Sequence, residues 1–217
     1  MIGIPYITPY PMPDSGELPV NTAQWTVSPD RAVLLLHDMQ NFFLNAFPSG
    51  EAPVTDLIRN AGALRERCAA AGIPVAYTAQ PGGMTAGQRG LLKDFWGPGM
   101  STDAVQRGVA DPVAPGADDW VIVKRRYSAF HQTPLLQRLR DSGRDQLIIA
   151  GVYAHIGVLM TAVDAFTHDV QPFLVADAVA DFTLEDHRMT LRYVAGRCGV
   201  VTTAKQLLTD LAPGARK

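Results

Sequence analysis

The sequence predicts an α/β protein, a three-layer α-β-α domain built on a six-stranded, mainly parallel sheet. Three observations predict it. From Arg31 onward, apolar runs of strand length alternate with stretches of helical period, as βαβ units require. The first run, Ala32–His37, is nearly all valine and leucine rather than alternating with polar residues, the pattern of a strand buried on both faces. And 217 residues, 47% hydrophobic and 18% charged, fit one well-packed domain better than two.

In chain order, residues 1–30 carry Pro5, Pro9, Pro11, Pro13, Pro19 and Pro29, which fix φ and remove backbone donors. They predict an extended arm wrapping a domain that runs over residues 31–212. After Ala32–His37 comes a helix over about residues 54–71, with Leu57, Ala61, Leu64 and Cys68 at helical spacing and Gly72 as its stop. Further strands are predicted at 73–78, 120–124, 146–151, 173–179 and 200–202. A helix between the third and fourth strands starts at Thr133 as N-cap and Pro134 as N1 and closes at Gly143, and two more span 156–168 and 184–198. Two connections, 38–53 and 79–118, exceed the few residues usual in α/β loops, and long loops there tend to be functional.

Composition narrows the partners. A formal net charge of −2 without any Lys/Arg run argues against nucleic acid or an anionic membrane and favours a small molecule. No stretch approaches the roughly 18 apolar residues of a membrane span, and the Pro-rich start lacks the regions of a signal peptide, so a cytoplasmic protein is expected. Cys68 and Cys198 lie far apart, with no Cys-x-x-Cys pair, and read as buried, inert thiols.

Polar residues cluster just past three strand ends: His37-Asp38-Met39-Gln40, Lys124-Arg125-Arg126-Tyr127, and Gly151 through Gly157. Ligands of parallel sheets bind outside the carboxyl ends of the strands, where these residues converge. Asp38 and Lys124 read either as a proton-transfer pair or as structure, the aspartate as a helix N-cap and the lysine as a snorkelling edge residue. Phe42 and Trp96 read as core or as a pocket wall, and His37 as a satisfied core histidine; His155 and His168 belong to the helix after Tyr153 and are weaker candidates.

The strings Leu35-Leu36-His37-Asp38-Met39-Gln40, Tyr77-Thr78-Ala79-Gln80-Pro81, Phe95-Trp96-Gly97-Pro98-Gly99, Arg126-Tyr127-Ser128-Ala129-Phe130 and Gly151-Val152-Tyr153-Ala154-His155-Ile156-Gly157 together carry a resemblance. The chain resembles the isochorismatase-like hydrolase family along nearly its whole length, nearest the phenazine-pathway and siderophore-pathway branches. The wider family includes cysteine hydrolases of amides, and the position of their nucleophile is Gly157 here. Without a thiol no acyl-enzyme can form, whereas cleavage of a vinyl ether needs only an acid, a water and a pocket. The Asp-x-His metal pattern of nicotinamidases is replaced by Ala79-Gln80-Pro81, so neither a metal nor another cofactor is expected.

By this resemblance the reaction is hydrolysis of the enolpyruvyl ether of 2-amino-2-deoxyisochorismate, with Asp38 as general acid and Lys124 positioning it. Gln80, Arg89, Tyr153 and the backbone N–H of Gly157 would hold the dianionic substrate, with Phe42 and Trp96 as the apolar wall. The resemblance also implies a homodimer. The run from Gln88 to Trp96 is closer to the phenazine branch, His131 and the Ala154–Gly157 string to the siderophore branch. A chain ending at Lys217 leaves no room for the aryl-carrier domain of some siderophore enzymes, which favours the aminated substrate. Isochorismate itself is the alternative substrate, and a catalytically silent binding protein is the alternative of another class.

Overall fold

The computed structural model describes residues 3–212. Six strands form one sheet in the order β3-β2-β1-β4-β5-β6, where β1 is Ala32–His37, β2 Val75–Ala79, β3 Trp120–Val123, β4 Gln146–Val152, β5 Gln171–Ala180 and β6 Val200–Thr202. All five pairings are parallel, so the sheet is wholly rather than mainly parallel. The continuous apolar runs of β1 and β4 are buried at every position because both faces are covered.

Alternate residues of β1 divide between two cores, the consequence of a side-chain period of two. Leu34 and Leu36 pack with Leu57, Ala61 and Leu64 of the helix Val54–Ala70 and with Leu207 of the helix Ala204–Asp210. Val33 and Leu35 face the other way, onto Leu135 and Leu139 of Leu135–Asp141, Ala162 of Leu159–Thr167 and Val194 of Leu184–Arg197. This gives the predicted three layers.

Several boundaries differ from expectation. Gly72 and Gly143 follow their helices with φ of 70° and 66°, as stop glycines do. The helix expected to begin at Pro134 starts at Leu135 with Pro134 itself at the N-cap position, so Thr133 stands one residue before the cap it was expected to be, although its hydroxyl accepts from the Leu135 N–H at 3.3 Å. The helix expected over 156–168 is two pieces, a π-helical turn Ala154–Val158 and the helix Leu159–Thr167, which leaves His155 in the turn and His168 at the C-cap. The two long connections are also partly helical, with short helices at Asn41–Leu44, Ala86–Arg89, Leu92–Trp96 and Ala104–Arg107. Ala204–Asp210 was not foreseen. The arm is extended apart from one 3-10 turn, Ser15–Glu17, and Ile7 within it is fully buried. Both cysteines are free and buried, and burial pushes their thiols up, Cys68 to about 12 and Cys198 to about 11. No helix among the described residues is long and apolar enough to cross a membrane.

Candidate active site

Strand order reverses between β1 and β4, and the crevice past their carboxyl ends is the position where open α/β sheets place ligands. A pocket of about 570 Å³, a volume that includes the solvent at its open mouth, lies there. It is lined by Asp38, Gln80, Arg89, Lys124, Tyr127 and Gly157 and walled by Phe42, Trp96, Tyr153 and Phe182. All eight residues proposed from the sequence therefore meet in one cavity.

Asp38 follows β1 directly and has φ of 51°, a left-handed conformation uncommon outside glycine. Such strain persists where surroundings over-determine it. Here Thr78 of β2 supplies the constraint: its hydroxyl oxygen accepts from the Asp38 N–H at 2.9 Å and its O–H donates to Asp38 Oδ1 at 2.5 Å. The other oxygen, Oδ2, lies 2.8 Å from Lys124 Nζ. Asp38 is not a helix N-cap, since the next helix is capped at Gln40. Lys124 does not snorkel: although it follows the edge strand β3, it is only 1% exposed and donates also to the carbonyls of Arg126 and Tyr127 at 3.0 and 3.2 Å.

Burial alone would raise the Asp38 pKa, but Lys124, His37 and the hydrogen bonds from Lys124 and Thr78 outweigh it, so the carboxyl is held below its ordinary range and is ionised without ligand. His37 is buried and pushed down to about 4, chiefly by desolvation. Its Nδ1 lies 2.8 Å from the Val152 carbonyl, while Nε2 has no partner, so it is only half the satisfied core histidine expected.

The opposite wall is built on the long connection after β2. Arg89 ends the short helix Ala86–Arg89, which Thr85 and Gln88 start with a reciprocal capping box. Its guanidinium is buried and donates to the Gly97 carbonyl at 3.0 Å, the Trp96 carbonyl at 3.4 Å and Gln80 Oε1 at 3.5 Å. Gly99 lies against it, where a Cβ would come within 2.8 Å of Cζ, which accounts for the glycine at that end of the Trp96-Gly97-Pro98-Gly99 string. No carboxylate pairs with Arg89 among the described residues, and burial, with Arg126 nearby, lowers its pKa. The pocket thus holds two cations against one carboxylate, a charge balance suited to an anionic ligand.

Two assignments need correction or completion. The Tyr153 hydroxyl does not face a ligand, because it donates to the Phe43 carbonyl at 2.7 Å and leaves only the ring to the pocket. The Trp96 indole N–H is likewise taken, by the Tyr127 hydroxyl at 2.7 Å. Gln40 was not singled out, yet it clamps the long connection: its Oε1 accepts from the Gln80 N–H at 2.7 Å, and its Nε2 donates to the carbonyls of Gln80 and Arg107 at 3.1 and 2.9 Å. Asp181, at the end of β5, was also missed. Its Oδ1 lies 2.6 Å from His155 Nδ1, its Oδ2 accepts from the His155 N–H at 2.6 Å, and it precedes Phe182 in the pocket wall. Like Asp38, it could have been found as a carboxylate just past a strand. Ile4 of the arm also lines the pocket, and nothing in the arm's own sequence signals where it docks.

With this geometry in view, three comparisons are informative. The phenazine biosynthesis protein PhzD1 of Pseudomonas aeruginosa is 55% identical over 208 residues, 96% of this chain and 100% of the relative. The isochorismatase of Bacillus subtilis is 50% identical over 210 residues, 97% of this chain and 67% of that one. The crystal structure of a cysteine hydrolase from Pseudomonas syringae pv. phaseolicola superposes with a TM-score of 0.78, covering 89% of this chain and 97% of its own, at 22% identity, a likeness of fold. The isochorismatase domain family matches residues 32–206, and on that match and these identities the chain belongs to the isochorismatase family.

Proposed function

We propose that the protein hydrolyses the enolpyruvyl ether of 2-amino-2-deoxyisochorismate, giving trans-2,3-dihydro-3-hydroxyanthranilate and pyruvate without a covalent intermediate. The observation that carries this reading is the pairing, in one largely apolar pocket, of the Asp38–Lys124 couple with an Arg89 that has no acid of its own among the described residues. The full-length relatives at 55% identity are phenazine biosynthesis proteins, which supports the aminated ring.

Asp38 protonates the terminal methylene carbon: a C–H bond forms, the acid O–H breaks, and the enol ether becomes an oxocarbenium ion. Water adds to that ion, its proton returns to Asp38, and the hemiketal collapses to pyruvate and the ring alcohol. General acid catalysis of this kind supplies about 10²–10⁴ in rate. The unliganded carboxylate is ionised, so substrate must bring the acid form into being. Two substrate carboxylates entering beside Arg89 and Lys124 neutralise the field that holds the Asp38 pKa down and add like charge, and the substrate's own bulk displaces water and strengthens desolvation; all three raise it. Arg89 and Gln80 hold a carboxylate while Phe42, Trp96, Tyr153 and Phe182 exclude water.

Isochorismate is the second reading, favoured by the 50% identity to a Bacillus subtilis isochorismatase. Pyruvate release from the two substrates in parallel, with Asp38→Asn as control, decides between them. Asp38-dependent release from the aminated ring at the higher kcat/KM supports the proposal; a preference for isochorismate transfers it to the second reading, and no release from either leaves a binding protein. The protein is proposed to act in the cytoplasm as a homodimer, for which a sedimentation mass of twice 23.4 kDa is expected.

A further inference from the structure

We propose that His37 is a positioning residue of this site, whose imidazole ring fills the space that any side chain at 157 would need and so keeps that part of the pocket wall as bare backbone. The proposal rests on the place of Gly157 in the pocket and not on which ring is cleaved.

His37 is the last residue of β1 and is fully buried. Because the Val152 carbonyl can only accept, the 2.8 Å contact makes Nδ1 the protonated nitrogen and leaves Nε2 a lone pair. That lone pair finds no donor among the described residues, whereas buried polar atoms nearly always have a partner. The far edge of the ring faces the Tyr127 carbonyl, which can only accept and so offers nothing to this lone pair while the ring is neutral. What it meets is Gly157: a Cβ built on that glycine would stand 3.0 Å from Nε2, closer still to Cε1, and 3.1 Å from the Tyr127 carbonyl oxygen. The ring is the harder obstacle, since one ring nitrogen is anchored to Val152, whereas the Tyr127 carbonyl at 3.1 Å need give only a few tenths of an ångström. A methyl group at 157 has to move either the ring or its own turn. The ring also flanks the acid, with Nδ1 3.7 Å from Asp38 Oδ2, so displacing it disturbs both. A neutral ring suits this packing role, and burial keeps it neutral near pH 7.

The proposal makes the cost of a side chain at 157 conditional on residue 37. His37→Asn keeps an amide donor near the place of Nδ1, within reach of Val152, and removes the far edge of the ring. Gly157→Ala is introduced into the wild type and into His37→Asn, and thermal unfolding and pyruvate release are measured for the four proteins. In the wild-type background the alanine is expected to lower Tm by about 5 °C, as overpacking does in a domain of this size, and kcat/KM by about tenfold or more. In the Asn background the same change should shift Tm by no more than about 1 °C and kcat/KM by no more than about threefold. Equal losses in both backgrounds would overturn the proposal. Rescue of Tm without rescue of turnover would overturn the positioning role, since the substrate itself would then demand glycine. If the wild type releases no pyruvate, the proposed function fails while the Tm comparison still decides the steric claim. Should His37→Asn not fold, the His37 Nδ1–H proton resonance decides: it must shift or be lost in Gly157→Ala, and an unchanged resonance refutes the inference.

Discussion

The two walls of the pocket are built differently. The Asp38–Lys124 wall stands on strand ends, and there each charge has an opposite charge within 2.8 Å, a buried environment and at least one further hydrogen bond. The Arg89 wall is carried by the connection after β2, and among the described residues its cation meets only neutral carbonyls and one amide oxygen. A rigid, self-compensated pair suits chemistry, where angstrom displacements matter. A cation left without an acid suits recognition, because a ligand anion completes it. The lesson is a division of labour between the sheet, which holds the reacting group, and the loop, which holds the substrate.

The largest effect that tests this division comes from the sheet side. Asp38→Asn preserves shape but removes the acid, and it should lower kcat by about 10³-fold or more with little change in KM. A loss that falls mainly on KM would make Asp38 a binding residue and erase the contrast between the walls. The loop side gives the complementary result. Arg89→Gln should raise KM by about 10²-fold through loss of a charge-assisted contact to a carboxylate, with kcat within several-fold of the wild type. Should kcat fall as far as it does for Asp38→Asn, recognition and chemistry are not separately housed.

The walls also differ in how they answer to acid, since Arg89 stays charged throughout while the framework carries buried imidazoles. His37 and His187 are both pushed down to about 4 by desolvation, against an ordinary value of 6.5. His187 is neutral in a defined tautomer: its Nε2–H donates to the Ala176 carbonyl at 2.9 Å, and Nδ1 accepts from the Tyr10 hydroxyl at 3.2 Å. Between pH 6.5 and 4 the unfolded chain takes up protons that the folded one refuses, so stability is full above 6.5 and falls as pH drops through this window. From pH 7 to 5 each histidine costs about 2 kcal/mol. His155 opposes them in part. Asp181 raises its pKa against the lowering effect of burial, and the stability it adds is present at low pH and lost as pH rises through that raised value. Denaturant unfolding at pH 7, 6 and 5 measures the sum, and a profile that stays flat in His155→Gln as well would mean that the two buried rings take up protons as readily in the folded state as in the unfolded one.

How much of this was legible follows from where information resides in a chain. The strands could be read because burial on both faces writes itself as uninterrupted apolar runs, and Asp38 and Lys124 because they stand just past such runs. The short helix carrying Arg89 was readable in principle from Thr85 and Gln88, three residues apart, and Ala204–Asp210 from Thr203 and Gln206, whose N–H the threonine hydroxyl accepts at 3.2 Å. Other features are tertiary. Motif position placed Tyr153 in the pocket but could not say that its hydroxyl turns to Phe43, since that depends on how a separate loop packs. The π-helical turn after β4, the clamp made by Gln40 and the docking of Ile4 belong to the same class.

The smallest predicted effect sharpens the account of the loop wall. Trp96 presents a ring to the pocket, stands 5.9 Å from Phe182 in an edge arrangement, and spends its only donor on the Tyr127 hydroxyl at 2.7 Å. If its role is to wall the pocket rather than to bind a polar group of the substrate, Trp96→Phe keeps an aromatic face and loses only the link to Tyr127. That link is a neutral hydrogen bond worth about 1 kcal/mol, and most of it is spent on holding the loop in either ligand state. KM should then rise about threefold with kcat unchanged, and Trp96→Ala, which opens the wall to water, should do markedly more. Were Trp96→Phe as damaging as Trp96→Ala, the indole N–H rather than the aromatic wall would be the operative feature, and the loop would share in orienting the reacting group through Tyr127, whose carbonyl also holds Lys124.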